Sequence, residues 1–325
     1  IGSADTPYWK FADNQWDYFG ETTGQNSDSQ VVDRDLFGWG TSGYPHGAVC
    51  YQPWSTSRTY GHYYVYGNNI YNLYDQTGQA DWGYNTISNG GDTENIWRTL
   101  TNDEWMYVFN MRETSSGIRY AKANVNEVNG IILLPDDWDT LYYELNDTDS
   151  NDVAFSSNII TAEQWSTLEQ YGAVFLPAAG YRLYGTSIYY AGASGNYWSA
   201  SKCGNNGAYY AVFSDGDVNP SYNYGRSLGV SVRLVSTSSV VLSHSVTAQP
   251  NPAEGGTIEG AGTYPKGQTC TLTAMANEGY YFVNWTENDE VVSIDATYIF
   301  EVIGDRDLVA NFNQNQNPTE IEIGR

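Results

Sequence analysis

Two stretches of the chain carry apolar residues at helical spacing behind a cap. In "LTNDEWMYVFNM", Thr101 is followed three residues later by Glu104, and Trp105, Val108 and Phe109 then fall on one face. That spacing predicts a capping box and a helix over about 102–111. In "TAEQWSTLEQYG", Thr161 and Gln164 repeat the device, Trp165, Leu168 and Tyr171 line one face, and Gly172 ends the helix. Each helix precedes a short apolar run closed by proline, "GIILLP" at 130–135 and "AVFLP" at 173–177. These runs read as buried strands, because proline cannot extend a ladder. "NYWSAS", "AYYAVFS" and "VSVRLV" predict three more strands, with Gly, Asn, Asp and Pro in the connections between them.

The pattern changes near residue 240. Residues 1–236 read as one large domain, 237–244 ("TSSVVLSH") as a linker, 245–313 as a small β-rich module and 314–325 as a polar tail. The module shows short alternating segments with regular turn signals. At about 70 residues it lies near the lower size limit for independent folding, so its aromatic residues Tyr281, Phe282, Trp285, Phe300 and Phe312 are expected to form its core.

Charge narrows the range of partners. The 325 residues hold 14 Lys and Arg against 38 Asp and Glu, a net charge of -24 that repels phosphate backbones and anionic lipid. Nucleic acid is therefore not an expected partner. No apolar run approaches the roughly 20 residues needed to span a bilayer, so membrane insertion is not expected either. The chain begins at Ile1, which suggests that a signal peptide or an upstream domain precedes this numbering. Its 29 Tyr and 11 Trp supply rigid side chains with polar tips, a type enriched at recognition surfaces.

Candidate catalytic and metal motifs are sparse. Cys50, Cys203 and Cys270 are too far apart for a CxxC pair and allow at most one disulfide. His46, His62 and His244 stand alone, without HxH or HExxH spacing, and "GASGN" at 192–196 is not a GxSxG elbow. Asp136, Asp137 and Asp139 in "PDDWD" offer paired carboxylates, the requirement for glycoside hydrolysis, but acidic turns have the same composition. In "NDTDSND", Asp147, Asp149 and Asn151 have the spacing that opens an EF-hand loop and form the candidate calcium site. Asp152 replaces the expected glycine and Asn158 the closing glutamate, so a solvated acidic loop is the competing reading.

Two resemblances add to this. Gly255-Gly256, Gly262, Tyr264, Gly267, "LTA" at 272–274, "GYYFVNW" at 279–285 and "LVANF" at 308–312 make residues 245–313 similar to the divergent internalin B-type repeat. That resemblance implies a β-grasp-like spacer or adhesive unit on exported proteins. "FADNQWDYFG" at 11–20, "DLFGWGTSGY" at 35–44, "LTNDEW" at 100–105, "GAVFLPAAGYR" at 172–182, "YWSAS" at 197–201 and "GVSVRLV" at 229–235 resemble exported bacterial domains of the Fibrobacter succinogenes major paralogous type. These are related in fold to formylglycine-generating enzymes and to the variable proteins of diversity-generating retroelements. The implied fold class is α+β: a C-type lectin-like head of two helices and a twisted, mostly antiparallel sheet, followed by the repeat module. The cysteine segment of formylglycine-generating enzymes is not reproduced around Cys50 or Cys203, and the EPN, QPD and WND signatures of sugar-binding C-type lectins are missing.

In retroelement variable proteins, randomised adenines let chosen Asn codons yield many residues but never Lys, Glu, Gln, Met or Trp. Those five types make up 46 of the 325 residues, yet residues 203–235 contain none. Turn-rich β structure favours Asn, Gly, Ser and Tyr by itself and explains part of this bias. The resemblance places a recognition surface at Asn205, Asn206, Tyr209, Asp215, Asp217, Asn219, Tyr222, Asn223 and Tyr224, on one exposed face backed by buried Trp198, Val232 and Leu234. The expected function is a non-catalytic ligand-binding or adhesion protein, extracellular or on the cell surface. Its partner would be a protein or glycan on a host, bacterial or phage surface, and no cofactor beyond the candidate calcium is expected. A carbohydrate-active enzyme using the acidic residues and a structural surface component are the alternatives.

Overall fold

Both capping boxes form. Thr101 Oγ1 accepts from the Glu104 amide at 3.2 Å while the Glu104 carboxylate accepts from the Thr101 amide at 2.8 Å. Thr161 and Gln164 exchange the same pair of bonds at 3.2 and 2.9 Å. The first helix, α1 (Asn102–Met106), passes directly into a π turn over Tyr107–Met111. The second, α2 (Ala162–Gln170), ends where Gly172 takes a φ of 90°, a conformation that costs glycine little. The structure is a computed structural model. It describes residues 9–20, 34–41, 56–59, 62–64, 72–74, 80–82, 96–183, 187–236, 243–265, 267–302 and 304–315. Cys50, His46, most of the 237–244 linker and most of the 314–325 tail lie outside the described residues.

The chain divides into two compact units, 1–239 and 240–325. In the first, β1 (Trp97–Thr99) precedes α1, and β2 (Tyr120–Val125) and β3 (Val128–Leu133) form a hairpin. Its two-residue turn, Asn126-Glu127, has both φ angles positive, at 47° and 68°. β4 (Ile159–Ile160), α2 and β5 (Val174–Pro177) follow, and the four strands align in the order β4-β2-β3-β5 with β4 parallel to β2. Trp165 and Leu168 of α2 pack with Ile132 and Phe175 of this sheet. A small hairpin of β6 (Tyr181–Leu183) and β7 (Ser187–Tyr189) leads into three long strands, β8 (Ser194–Cys203), β9 (Gly207–Ser214) and β10 (Asp217–Gly225), in the order β10-β9-β8. β11 (Leu234–Ser236) returns antiparallel to β1.

This architecture corrects the expected fold class. Among the described residues 47% are in strands, spread over several small sheets, and only about 10% are helical. The fold is β-rich, not an α+β C-type lectin-like head. The two capped helices are present, but α1 has five residues before its π turn and α2 has nine, so neither supplies a helical layer. Most of the apolar residues around them belong to strands. β10 overturns a second expectation, because "DGDVNPSYNYG" carries turn residues yet forms a strand. A bulge between Asn219 and Tyr222 takes Pro220 out of the ladder, where its missing N–H does no harm.

Among the described residues the second unit is built of strands joined by turns, without a helix. β12 (Ser243–Asn251), β13 (Gly256–Glu259), β14 (Gly262–Pro265), β15 (Thr269–Ala276), β16 (Tyr280–Glu287), β17 (Glu290–Ser293), β18 (Thr297–Glu301) and β19 (Arg306–Gln314) form two sheets. One runs β14-β12-β19-β16-β17 and the other β13-β15-β18. Trp285, Leu272, Leu308 and Phe312 are buried between them, with Phe282 and Phe300 half-buried against them. Tyr281, an expected core residue, is instead exposed, because it pairs with Asn313 on the outward side of the ladder.

Candidate functional site

The sheet β8-β9-β10 is covered on both faces for much of its length. Alternation along β9 sends Ala208 and Tyr210 to one side, with Trp198 and Ala200 of β8, and Ala211 and Phe213 to the other, with Tyr197. Gly195 lies opposite Phe213, and a Cβ there would come within 2.0 Å of the ring, so glycine is what allows this packing. Three indoles staple β8 in place. Trp198 Nε1 donates to the Phe37 carbonyl at 2.7 Å, Trp39 Nε1 to the Ser199 carbonyl at 2.8 Å, and Trp105 Nε1 to the Trp198 carbonyl at 3.2 Å. The Arg226 guanidinium lies over the Trp39 ring and donates to the Tyr64 carbonyl.

On the Trp198 side, the sheet edge opens into a group of tyrosines. Tyr222 is paired with Tyr210 and meets it edge to face at 5.5 Å, and Tyr224 is paired with Ala208 on the same side. Tyr181 packs against this cluster, stacks on Tyr189 at 5.9 Å and contacts Tyr190 at 5.8 Å. Burial, and then the nearby hydroxyls of Tyr222, Tyr181 and Tyr224, push Tyr210 above the ordinary tyrosine range. Tyr189, Tyr190, Tyr222 and Tyr224 are exposed by 41%, 61%, 48% and 40%, around a half-buried Tyr181 and a buried Tyr210. The arrangement presents rigid, amphipathic rings on a sheet that is itself locked from behind.

The expected recognition residues do not all join this face. Asn205 and Asn206 are exposed in the β8–β9 turn, near the end of the sheet that carries Tyr222 and Tyr224. Asn223 pairs with Tyr209, which lies beside Cys203, and alternation puts both on the opposite side of the ladder from Tyr222. Asp215, Asp217 and Asn219 lie at the far end of the hairpin. There the Asp215 carboxylate accepts from the Phe155 amide at 2.9 Å and its carbonyl accepts from Lys122 Nζ at 3.0 Å, so Asp215 holds loops together. Of the backing residues, Trp198 is buried, whereas Val232 and Leu234 are half-buried. Tyr181, Tyr189 and Tyr190 were not anticipated. They come from a separate hairpin, and the available signal was the repeated tyrosine in "GYRLYGTSIYYAG".

The acidic motifs are engaged by protein donors. Asp149 Oδ1 accepts from the Arg119 and Tyr120 amides, both at 3.1 Å, and the carboxylate pairs with the Arg119 guanidinium at 3.5 Å. Asn151 accepts from the Tyr120 hydroxyl through its side chain and from buried Lys122 through its carbonyl, while Asp147 is exposed with a φ of 49°. Among the described residues, no three His, Cys, Asp or Glu side chains gather as a metal site would require. Asp149→Ala should therefore cost about 1–3 kcal/mol by orphaning two amides. Urea melts should give the same loss in calcium and in chelator; a loss seen only with calcium would make the loop a metal site. In the "PDDWD" turn, Asp136 pairs with Arg112 at 3.4 Å and Asp139 accepts from the Leu141 amide at 2.9 Å. Cys203 and Cys270 are free thiols, half-buried and buried.

Residues 245–316 match the family model of the divergent InlB B-repeat domain, which covers the all-strand unit. The chain matches no curated protein and no solved structure. Among the described residues, no helix is long and apolar enough to cross a membrane.

Proposed function

We propose that this is a non-catalytic ligand-binding protein of the bacterial surface, whose head grips a protein or glycan through the tyrosine face and whose InlB-like repeat holds that head away from its anchor. The observation that carries the reading is the contiguous face of Tyr181, Tyr189, Tyr190, Tyr222 and Tyr224 around Tyr210. Tyrosine buries a large area with few rotatable bonds, and a stiff sheet behind it means little order is lost on binding. The repeat supports a surface or adhesion role. The head's acidic turns give no support to a hydrolase, since Asp136 pairs with Arg112 and Asp139 accepts from the Leu141 amide beside it. The composition of residues 203–235 supports a finer reading, in which exposed Asn205, Asn206, Tyr222, Asn223 and Tyr224 are varied by a retroelement while buried Tyr210 and Phe213 are kept.

The full-length protein, assayed on glycan arrays and on whole bacterial cells, should bind a ligand that a Tyr189→Ala/Tyr222→Ala variant binds at least about tenfold more weakly. That loss is modest for two interface tyrosines. Thermal stability of the variant should change little, because both rings lie at the periphery. Unchanged binding by the variant would remove the tyrosine face from the function.

A further inference from the structure

A concave site lies elsewhere in the head. It is a cleft of about 380 Å³ between the segment around residues 9–18, the edge of β5 and the strand leading into β11. Trp9, Phe11, Phe37, Trp82, Trp97 and Phe175 form much of its wall. The rings brace one another edge to face: Trp9 on Phe37 at 5.3 Å, Phe37 on Trp82 at 4.9 Å and Phe11 on Trp97 at 5.0 Å. None of the tyrosines of the recognition face lines it, so the cleft can be judged independently of that face.

Arg233 lines this cleft. Among the described residues, its side chain has no hydrogen-bond or ion-pair partner. Burial pulls its pKa below the ordinary arginine range, opposed by the nearby Tyr197 hydroxyl and Glu169 carboxylate. Neither of those groups is committed to it. The Tyr197 hydroxyl donates to the Pro177 carbonyl at 2.8 Å, and the Glu169 carboxylate accepts from Gln15 Nε2 at 2.7 Å. Arg233 is half-buried, so its guanidinium lines the cleft and stays open to a ligand, and an anion entering there would find a cation with no counter-charge bonded to it. Its planar fork suits a carboxylate, which it can bind through two parallel hydrogen bonds.

The remaining polar groups refine the ligand. Asp35 and Asp17 also line the cleft, and both carboxylates already accept backbone amides, from Phe19 at 2.7 Å and Asn14 at 2.9 Å. Carboxylate acceptors on the cleft wall can receive hydroxyl donors from a ligand. Flat aromatic walls suit the C–H faces of a saturated ring. We infer that the cleft binds a carboxylate-bearing sugar, with Arg233 on the carboxylate, the tryptophan and phenylalanine rings against the ring face, and Asp35 and Asp17 toward the hydroxyls. The cleft has the size and the mixture of apolar wall and few polar groups typical of small-molecule sites.

Calorimetry on the full-length protein with sodium glucuronate, glucose and phenylacetate tests this. Glucuronate should bind at least about tenfold more tightly than either of the others, the size of one well-placed charged contact. Arg233→Met should lose that preference by a similar factor while its thermal midpoint stays level, because the guanidinium makes no hydrogen bond or ion pair among the described residues. Arg233→Lys should keep part of the affinity. Equal binding of glucose would overturn the carboxylate, and equal binding of phenylacetate would overturn the sugar. No binding by glucuronate, or an Arg233→Met variant that melts many degrees lower, would overturn the site and make the guanidinium a structural element.

Discussion

Trp198→Ala should destabilise the head by about 3–5 kcal/mol, the largest single-residue loss expected on the β8 strand. The indole is 2% exposed, meets Tyr210 edge to face at 5.6 Å and spends its only donor on the Phe37 carbonyl. Truncation removes the apolar contacts, leaves a cavity under Tyr210 and takes away one of two donors to the Phe37 carbonyl, which keeps only the Val230 amide. The tyrosine face should loosen with it, because Tyr222 rests on Tyr210. Urea unfolding of the full chain, followed by the head's transition, measures the loss. A change below about 1 kcal/mol would mean that the indole is not packed as described.

Asp81→Ala should cost on the order of 3 kcal/mol for a different reason. Asp81 is 3% exposed, and its carboxylate accepts from Thr99 N at 3.0 Å, Thr99 Oγ1 at 2.6 Å and Trp82 N at 2.8 Å, tying that loop to β1. Alanine leaves three donors facing no acceptor. The group also sets a pH dependence. Burial raises its pKa above the usual carboxylate value, more than the hydrogen bonds from Thr99 and Trp82 and the charge of Arg98 lower it. The folded state then holds the proton more tightly than the unfolded state. Its contribution to stability is full below the ordinary value near 4 and is lost as pH rises through the raised folded value. Asp81→Asn removes that slope, so its deficit against the natural protein should be larger in acid than at neutral pH. A deficit that grows toward neutral pH would show that the carboxylate is held ionised instead.

The features written locally in the sequence were the ones that could be read from it. Thr101 with Glu104 and Thr161 with Gln164 mark helix starts because each box is made within four residues. β5 and β9 fall on the apolar runs at 173–177 and 208–214 because those side chains are buried. β10 was not legible. Its Asp, Asn and Pro residues favour turns, and only pairing with β9 across a bulge makes a strand of them. The fold class was misread for a related reason: helix signals are strong per residue, while the several short strand pairs that dominate the head depend on partners far along the chain. The tyrosine face was half legible, through Tyr222 and Tyr224, whereas Tyr181 and Tyr189 reach it from another hairpin. The cleft around Arg233 draws on segments more than 200 residues apart, and a lone arginine in "SVRLV" reads as an ordinary strand residue.

The strand pairing in the repeat module bears on how it would carry tension. Its first strand, β12, runs parallel to its last, β19, with Val246 to Asn251 registered against Arg306 to Asn311. A pull applied through the residues before β12 and after β19 therefore drags the two strands past each other along their length. The hydrogen bonds across six registered positions then share the load and must fail together, instead of opening one by one as in a hairpin peeled from its end. β19 is also clamped on its other side by β16, so the loaded strand cannot swing out of the sheet. A module wired this way resists stretching along the chain, a resistance that the proposed surface role would use.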